Sequence, residues 1–199
     1  MRARAGLSMT AVPSAARATQ YLYERVAVRT GLGDGVLVPK QEISLHDITP
    51  QVEALVQRLG IRDGTVNIVS QHTTTALTIN EYETRLLDDV AAFMEKLAPA
   101  SGSYKHNDLH LRPASDADRA RIDRNWMSLG KGTLAEFIAQ EPINAHAHLC
   151  AMVLGATVTI PVAEGRLCIG QWQSIILVDL DGPRERTVGC LLYTSPSPR

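Results

Sequence analysis

The sequence predicts an α+β protein with packed, largely antiparallel β-sheets and several helices. Three observations predict it. Alternating, β-branched stretches stand near both ends of the chain, two segments repeat apolar residues at helical spacing, and the last strands are joined by short turns rather than crossover helices. With 199 residues, 45% of them hydrophobic and 21% charged, the chain can bury one core, so a single domain follows.

Residues 1–20, "MRARAGLSMTAVPSAARATQ", carry Arg2, Arg4 and Arg17 with no acidic residue before Glu24. They read as a disordered or targeting leader, so the protein is expected in the cytoplasm, or in an organelle if the leader is a transit peptide. The domain is expected to span residues 21–192. Its first stretch, "YLYERVAVRT" (21–30), alternates as a strand, and the glycines of "GLGDG" turn it into a second strand near residues 36–40, a hairpin. Asp47 or Thr49 caps a helix through Ile48, Val52, Leu55, Val56 and Leu59, which Gly60 ends.

"TVNIVSQHTTTALTIN" (65–80) is β-rich throughout. A helix follows from about 81 to 97, with Asn80 as N-cap, Glu83 at the capping-box position and a buried stripe of Leu86, Leu87, Val90, Phe93, Met94 and Leu97. Pro99 closes it. Asn144 opens a short helix over 145–154 with Ala145, Leu149, Met152 and Val153 as its apolar stripe, and Gly155 ends it. Residues 156–192 give three strands joined at Glu164-Gly165 and Asp181-Gly182-Pro183, and "YTSPSPR" (193–199) reads as an unpacked tail.

The charges exclude some partners. Twenty basic against 21 acidic residues leave a net charge of -1, which gives no pull toward nucleic acid or an anionic membrane. A small-molecule partner is expected. Cys150, Cys168 and Cys190 form no C-x-x-C pair, which argues against a disulfide framework and a cysteine zinc site. No apolar run approaches the roughly 20 residues that span a bilayer.

Several stretches carry candidate chemistry. If "NIVSQHTTT" is one strand, Ile68, Ser70, His72 and Thr74 share a face, and its polar end is either the mouth of a site or a threonine-rich edge. "YKHND" offers His106 beside Asn107 and Asp108, with His110 further along, which is metal-ligand material or a surface loop. In "NAHAHL", His146 and His148 share a side on a strand but diverge by about 200° on a helix, so the predicted helix gives them different jobs. "GQWQS" sets Trp172 and Gln173 in a recognition surface or in packing. The alternation in "DGPRER" puts Arg184 and Arg186 on one face, either a phosphate clamp or a solvated hairpin.

The order of "QHTTTALTINE", "YKHND", "NAHAHL" and the segment from "LGATVTIPV" to "DGPRERTV" resembles the YjbQ family, also called secondary thiamine-phosphate synthase, over roughly residues 21–190. The resemblance implies a homotrimer with polar clefts near the subunit boundaries and no nucleic-acid or membrane partner. It also implies a transferase that joins a hydroxymethylpyrimidine diphosphate to a thiazole phosphate. The implied substrate-binding residues are His72, Thr73, Asn80, Trp172 and Gln173, and Arg184 of the paired arginines is expected to join Thr73 in steadying a phosphate. Glu81 and His148 are the implied catalytic residues, and His106, His146 and His148 the ligands of a divalent metal, zinc or magnesium. A noncatalytic trimer that binds a metal or a phosphorylated metabolite is the alternative. The chain departs from the family at Gln171 and in an insertion over residues 109–141, expected to reshape the pocket rim.

Overall fold

The computed structural model describes residues 20–31, 36–37 and 43–194. Within them two antiparallel sheets pack face to face. One is five-stranded in the order β1 (Gln20–Arg29), β9 (Glu185–Thr194), β4 (Gly64–Ser70), β6 (Thr157–Ala163), β7 (Arg166–Leu167); the other is four-stranded in the order β2 (Val36–Leu37), β3 (Ser44–Asp47), β8 (Ser174–Asp179), β5 (Thr75–Asn80). Alternation explains the layering. Val66 and Ile68 of β4, Ile160 and Val162 of β6, and Val188, Cys190 and Leu192 of β9 face the second sheet, which answers with Leu77, Ile175 and Leu177. Helix α1 (Thr49–Arg58) adds Val52, Leu55 and Val56 to the same core.

Strand β8 is buried on both faces because the second sheet carries helices on its outer side. Its Ile176 and Val178 meet Leu87, Ala91 and Met94 of α2 (Thr84–Leu97) and Ala147, Cys150 and Ala151 of α5 (Ala145–Leu154). Burial pushes the Cys190 thiol up to about 11, so this cysteine is an inert core group. Among the described residues no helix is long and apolar enough to cross a membrane.

Several expectations need correction. β1 does not form a hairpin with β2: β1 pairs with β9 along its whole length, while Val36 and Leu37 pair with β3 in the other sheet. The remainder of the expected second strand, residues 38–40, lies outside the described residues, as do 1–19 of the leader and 195–199 of the tail; Gln20 opens β1, and Tyr193 and Thr194 still belong to β9. The stretch 65–80 is two strands in different sheets, broken after Ser70 by a turn over 71–74. The final segment holds four strands, since "GQWQ" interrupts it between β7 and β8.

Helix α2 begins three residues later than expected. Asn80 is held in the last β5–β8 pair, and Glu83 is itself the N-cap, its carboxylate accepting the N–H groups of Arg85 and Leu86 at 3.1 and 2.9 Å. Phe93 and Leu97, placed in the buried stripe of α2, are exposed. Helix α5 has the predicted bounds and buries Ala145 as expected, but Leu149, Met152 and Val153 of the expected stripe face outward.

Residues 109–141, expected to be an insertion, are largely helical. α3 (Asp116–Asn125), capped by Ser115, and α4 (Leu134–Gln140), held by a Thr133–Glu136 capping box, pack together through Trp126 and Phe137, whose rings stand 5.7 Å apart. An Arg112–Glu141 ion pair at 2.8 Å ties the two ends of this excursion together.

Candidate functional site

Buried polar groups gather at one end of the sandwich, where β4 passes into β5, β8 passes into β9 and α5 begins. The sequence "DLDGPRER" builds the centre: a tight turn folds Arg184 and Arg186 back over Asp179 and Asp181. Asp179 is fully buried, and Arg186 grips it bidentately, Nε to Oδ2 at 2.9 Å and Nη2 to Oδ1 at 2.6 Å. Nη2 also donates to the Asp181 carbonyl at 3.1 Å, and the Thr30 hydroxyl donates to Asp179. Both charges are thereby paired and hydrogen-bonded, the condition under which a buried ion pair is tolerated.

Asp181 is the second node. Its backbone N–H donates to Asp179 Oδ1 at 3.1 Å, and its Oδ2 accepts the Asn144 amide at 2.8 Å and Arg184 Nη2 at 3.1 Å. Asn144 therefore spends its amide on Asp181 and makes no side-chain cap. That role falls to Asn107, whose Oδ1 accepts the Ala145 N–H at 3.1 Å. Docking of "YKHND" on the start of α5 sets the rings of His106 and His148 edge to face, with centroids 4.9 Å apart.

His148 also donates to the Thr73 backbone carbonyl. Burial and the neighbouring His106 hold its pKa below the usual 6.5, against the opposing pull of Asp181, the Thr73 bond and Glu141. His72 lies in the 71–74 turn rather than on a strand. Its Nε2 accepts the Thr187 N–H at 2.8 Å, which leaves the proton of the neutral ring on Nδ1. Burial, then Arg186, depress its pKa as well, with Asp179 opposing and Arg184 assisting. His46, buried on β3 with Nε2 2.9 Å from Ser44 Oγ, is depressed by burial against the pull of Asp179.

A pH dependence follows. The unfolded chain takes up protons on these three histidines near pH 6.5, before the folded chain does. Stability is thus fully present above that pH and falls as the pH drops below it. The urea midpoint is expected to be lower at pH 5 than at pH 7.5, and H46Q is expected to shrink that difference; a flat profile would refute the assignment of neutral rings.

The structure brings together His72, Thr73, His106, His148 and Arg184. It does not bring in the other expected residues. His146 sits two positions from His148 on α5, on a diverging face, and its Nδ1 is buried without a hydrogen-bond partner. Among the described residues no three His, Cys, Asp or Glu side chains are grouped to hold a metal ion, so the expected ligand set of His106, His146 and His148 reduces to the pair His106 and His148. Arg186 is no phosphate clamp either, because Asp179 consumes its guanidinium.

Asn80, Glu81, Trp172 and Gln173 lie at the opposite end of the second sheet. Strand β5 pairs Thr75 with Asp179 but Asn80 with Ser174, a span of five residues or roughly 17 Å. There Trp172 is 71% exposed, Gln173 Oε1 accepts the Gly170 N–H at 2.7 Å, and Asn80 Oδ1 accepts the Glu81 N–H at 2.9 Å. The single pocket expected from the sequence is divided, within one chain, between two ends. Asp179, Asp181 and Thr30, which organise the histidine end, were not anticipated; the paired spacing of acids and arginines across "DLDGPRER" was the available signal.

Comparison with known proteins agrees with this architecture. The UPF0047 protein YjbQ-like family matches residues 36–194. A UPF0047 protein of Archaeoglobus fulgidus is 39% identical over 148 residues, 74% of this chain and 90% of that protein, and one from Methanothermobacter thermautotrophicus is 35% identical over 74% and 81%. The crystal structure of a YbjQ-like protein from Sulfolobus solfataricus P2 superposes with a TM-score of 0.65 at 32% identity, covering 89% of this chain and all of that one. A hypothetical protein from Aeropyrum pernix K1 gives 0.63 at 30% identity, covering 87% and 99%.

Proposed function

Because the chain belongs to the YjbQ-like UPF0047 family, we propose that it is a thiamine-phosphate-synthase-type transferase whose substrate pocket is the histidine end of the sandwich. In that reaction the bond between the pyrimidine methylene carbon and its diphosphate breaks, pyrophosphate leaves with the electron pair, and the thiazole nitrogen bonds to the carbon. The observation that carries the reading is the convergence of His72, His106, His148 and Arg184 beside the first turn of α5. Neutral imidazole rings at His72 and His148 serve proton transfer, and an arginine fork suits phosphate oxygens. A divalent ion, zinc or magnesium, would be held by His106 and His148 and would supply charge to the departing pyrophosphate.

Glu81 and Trp172 enter the same reading through assembly. We place them in the pocket of a neighbouring copy, in a homotrimer whose clefts join the histidine end of one chain to the Glu81 end of the next. The exposed Phe93 and Leu97 of α2 and Leu149, Met152 and Val153 of α5 support such an association, since these apolar side chains are left in solvent on the two helices that cover the second sheet. Sedimentation equilibrium is expected to give three chains per particle.

The turnover test mixes the pyrimidine diphosphate and thiazole phosphate with the protein and follows pyrophosphate release. H148A and E81Q are each expected to slow it about 100-fold or more, the typical contribution of general acid–base catalysis. Turnover unaffected by both changes sinks the reading. One observation favours the alternative of a noncatalytic phosphometabolite-binding protein: within one chain the carboxylate nearest the histidines, Asp181, is already occupied by Asn144 and Arg184. Saturable binding of both compounds with no pyrophosphate released would select it.

A further inference from the structure

At the same end of the sandwich, the ends of β1 and β9 line a polar cleft of about 420 Å³ with Arg29, Thr30, Pro183, Arg184 and Glu185. Its walls are stitched together: the Thr30 N–H donates to the Arg184 carbonyl at 2.9 Å, and the Arg184 N–H donates to Thr30 Oγ1 at 3.0 Å. Thr30 is itself buried and tied to Asp179, so the cleft is anchored to the ion pair at the centre of the fold.

The two arginines are prepared differently. Arg184 is half exposed, and one edge of its guanidinium is held by the buried Asp181 carboxylate at 3.1 Å. Because Asp181 also accepts the Asn144 amide, its charge is shared, and Arg184 is fixed in orientation with donors to spare. Arg29, directly across the β1–β9 ladder from Glu185, is exposed and has no ion-pair or hydrogen-bond partner among the described residues. The cleft presents the guanidinium groups of Arg29 and Arg184, with the Asp181 carboxylate facing Arg184 from the buried side and Glu185 standing opposite Arg29.

We propose that this cleft is the phosphate subsite, in which Arg29 and Arg184 together take the oxygens of a phosphate monoester. Two guanidinium forks, one from the end of β1 and one from the turn before β9, match the tetrahedral array of phosphate oxygens better than a single point charge does. Asp181 couples the subsite to the histidines, since the same carboxylate holds both Arg184 and Asn144 at the entry of α5. This assignment deepens the reading of a phosphorylated substrate and rests on it, but it adds Arg29, which neither motif nor resemblance singled out.

The test is calorimetric titration of the full chain with inorganic phosphate at low salt, followed by competition with the thiazole phosphate. Saturable binding is expected, with R29Q and R184Q each weakening it by about tenfold or more, and with H106A and H148A leaving it nearly unchanged while turnover falls. R29K keeps the charge but loses the fork and is expected to fall between wild type and R29Q. Melting temperatures equal to wild type establish that the Arg29 variants fold. Phosphate affinity undiminished in R29Q, or no binding by the wild type, overturns the proposal. Phosphate held by Arg29 in a protein that turns over neither substrate retains the subsite and discards the transferase.

Discussion

Replacing Asp179 with alanine is expected to lower the unfolding free energy by about 3–5 kcal/mol, a large share of the roughly 5–15 kcal/mol that ordinarily holds a domain together. The reason is what remains behind. Arg186 is 3% exposed, so without the carboxylate its guanidinium stays in the interior with only the Asp181 carbonyl and Thr74 hydroxyl for partners. Equilibrium urea denaturation measures the loss. The double variant D179A/R186L separates this cause from a simple packing defect, because removing both charges is expected to recover much of the stability that the single change costs. A D179A protein as stable as wild type would show that the pair is not the organising centre of the polar end.

The second large effect is expected at Leu177. This side chain is fully buried between the two sheets, on the face of β8 opposite Ile176 and Val178. Leu177→Ala leaves a cavity that neither sheet can close, because each is held in register by ladders on both sides of the gap. A loss of about 2–5 kcal/mol is expected. Leu149→Ala on the exposed side of α5 is the control, expected to leave the unfolding free energy of the monomer nearly unchanged while weakening association. Equal losses at the two positions would mean that the outward face of α5 is part of the core.

Much of the local structure was legible. Helix α5 falls on Ala145–Leu154 as predicted and ends at Gly155, and α1 ends ahead of Gly60, whose φ of 65° suits a residue without Cβ. The Glu164-Gly165 turn, with φ of 52° and 78°, joins β6 to β7 as a two-residue hairpin requires. These features depend on neighbours in sequence. The helix faces were not legible in the same way. Helix α5 is apolar nearly all round, so periodicity does not choose between its small residues Ala147, Cys150 and Ala151 and its large ones Leu149, Met152 and Val153. Contact with the sheet chose the small ones, which let the helix lie close to Ile176 and Val178.

The candidate site divides along the same line. The sequence named His72, Thr73, His106, His148 and Arg184, and the fold assembles them; it also named Asn80, Glu81, Trp172 and Gln173, and the fold sets these at the far end of β5 and β8. Sequence order carries no information about which end of a strand a loop occupies until strand partners are known. The pairing of β1 with β9 rather than β2 is the clearest case, since more than 150 residues of chain separate Arg29 from Glu185.

What the amino-acid sequence determined by itself was the class of fold, the glycines that end helices α1 and α5, the Glu164-Gly165 turn, and the supply of imidazole and guanidinium groups, because each follows from propensity and spacing over a few residues. What tertiary structure alone decided was which strands pair, which helix face is covered and which charges meet. Those outcomes depend on long-range burial, and only there does Asp181 come to hold Arg184 and the start of α5 at once.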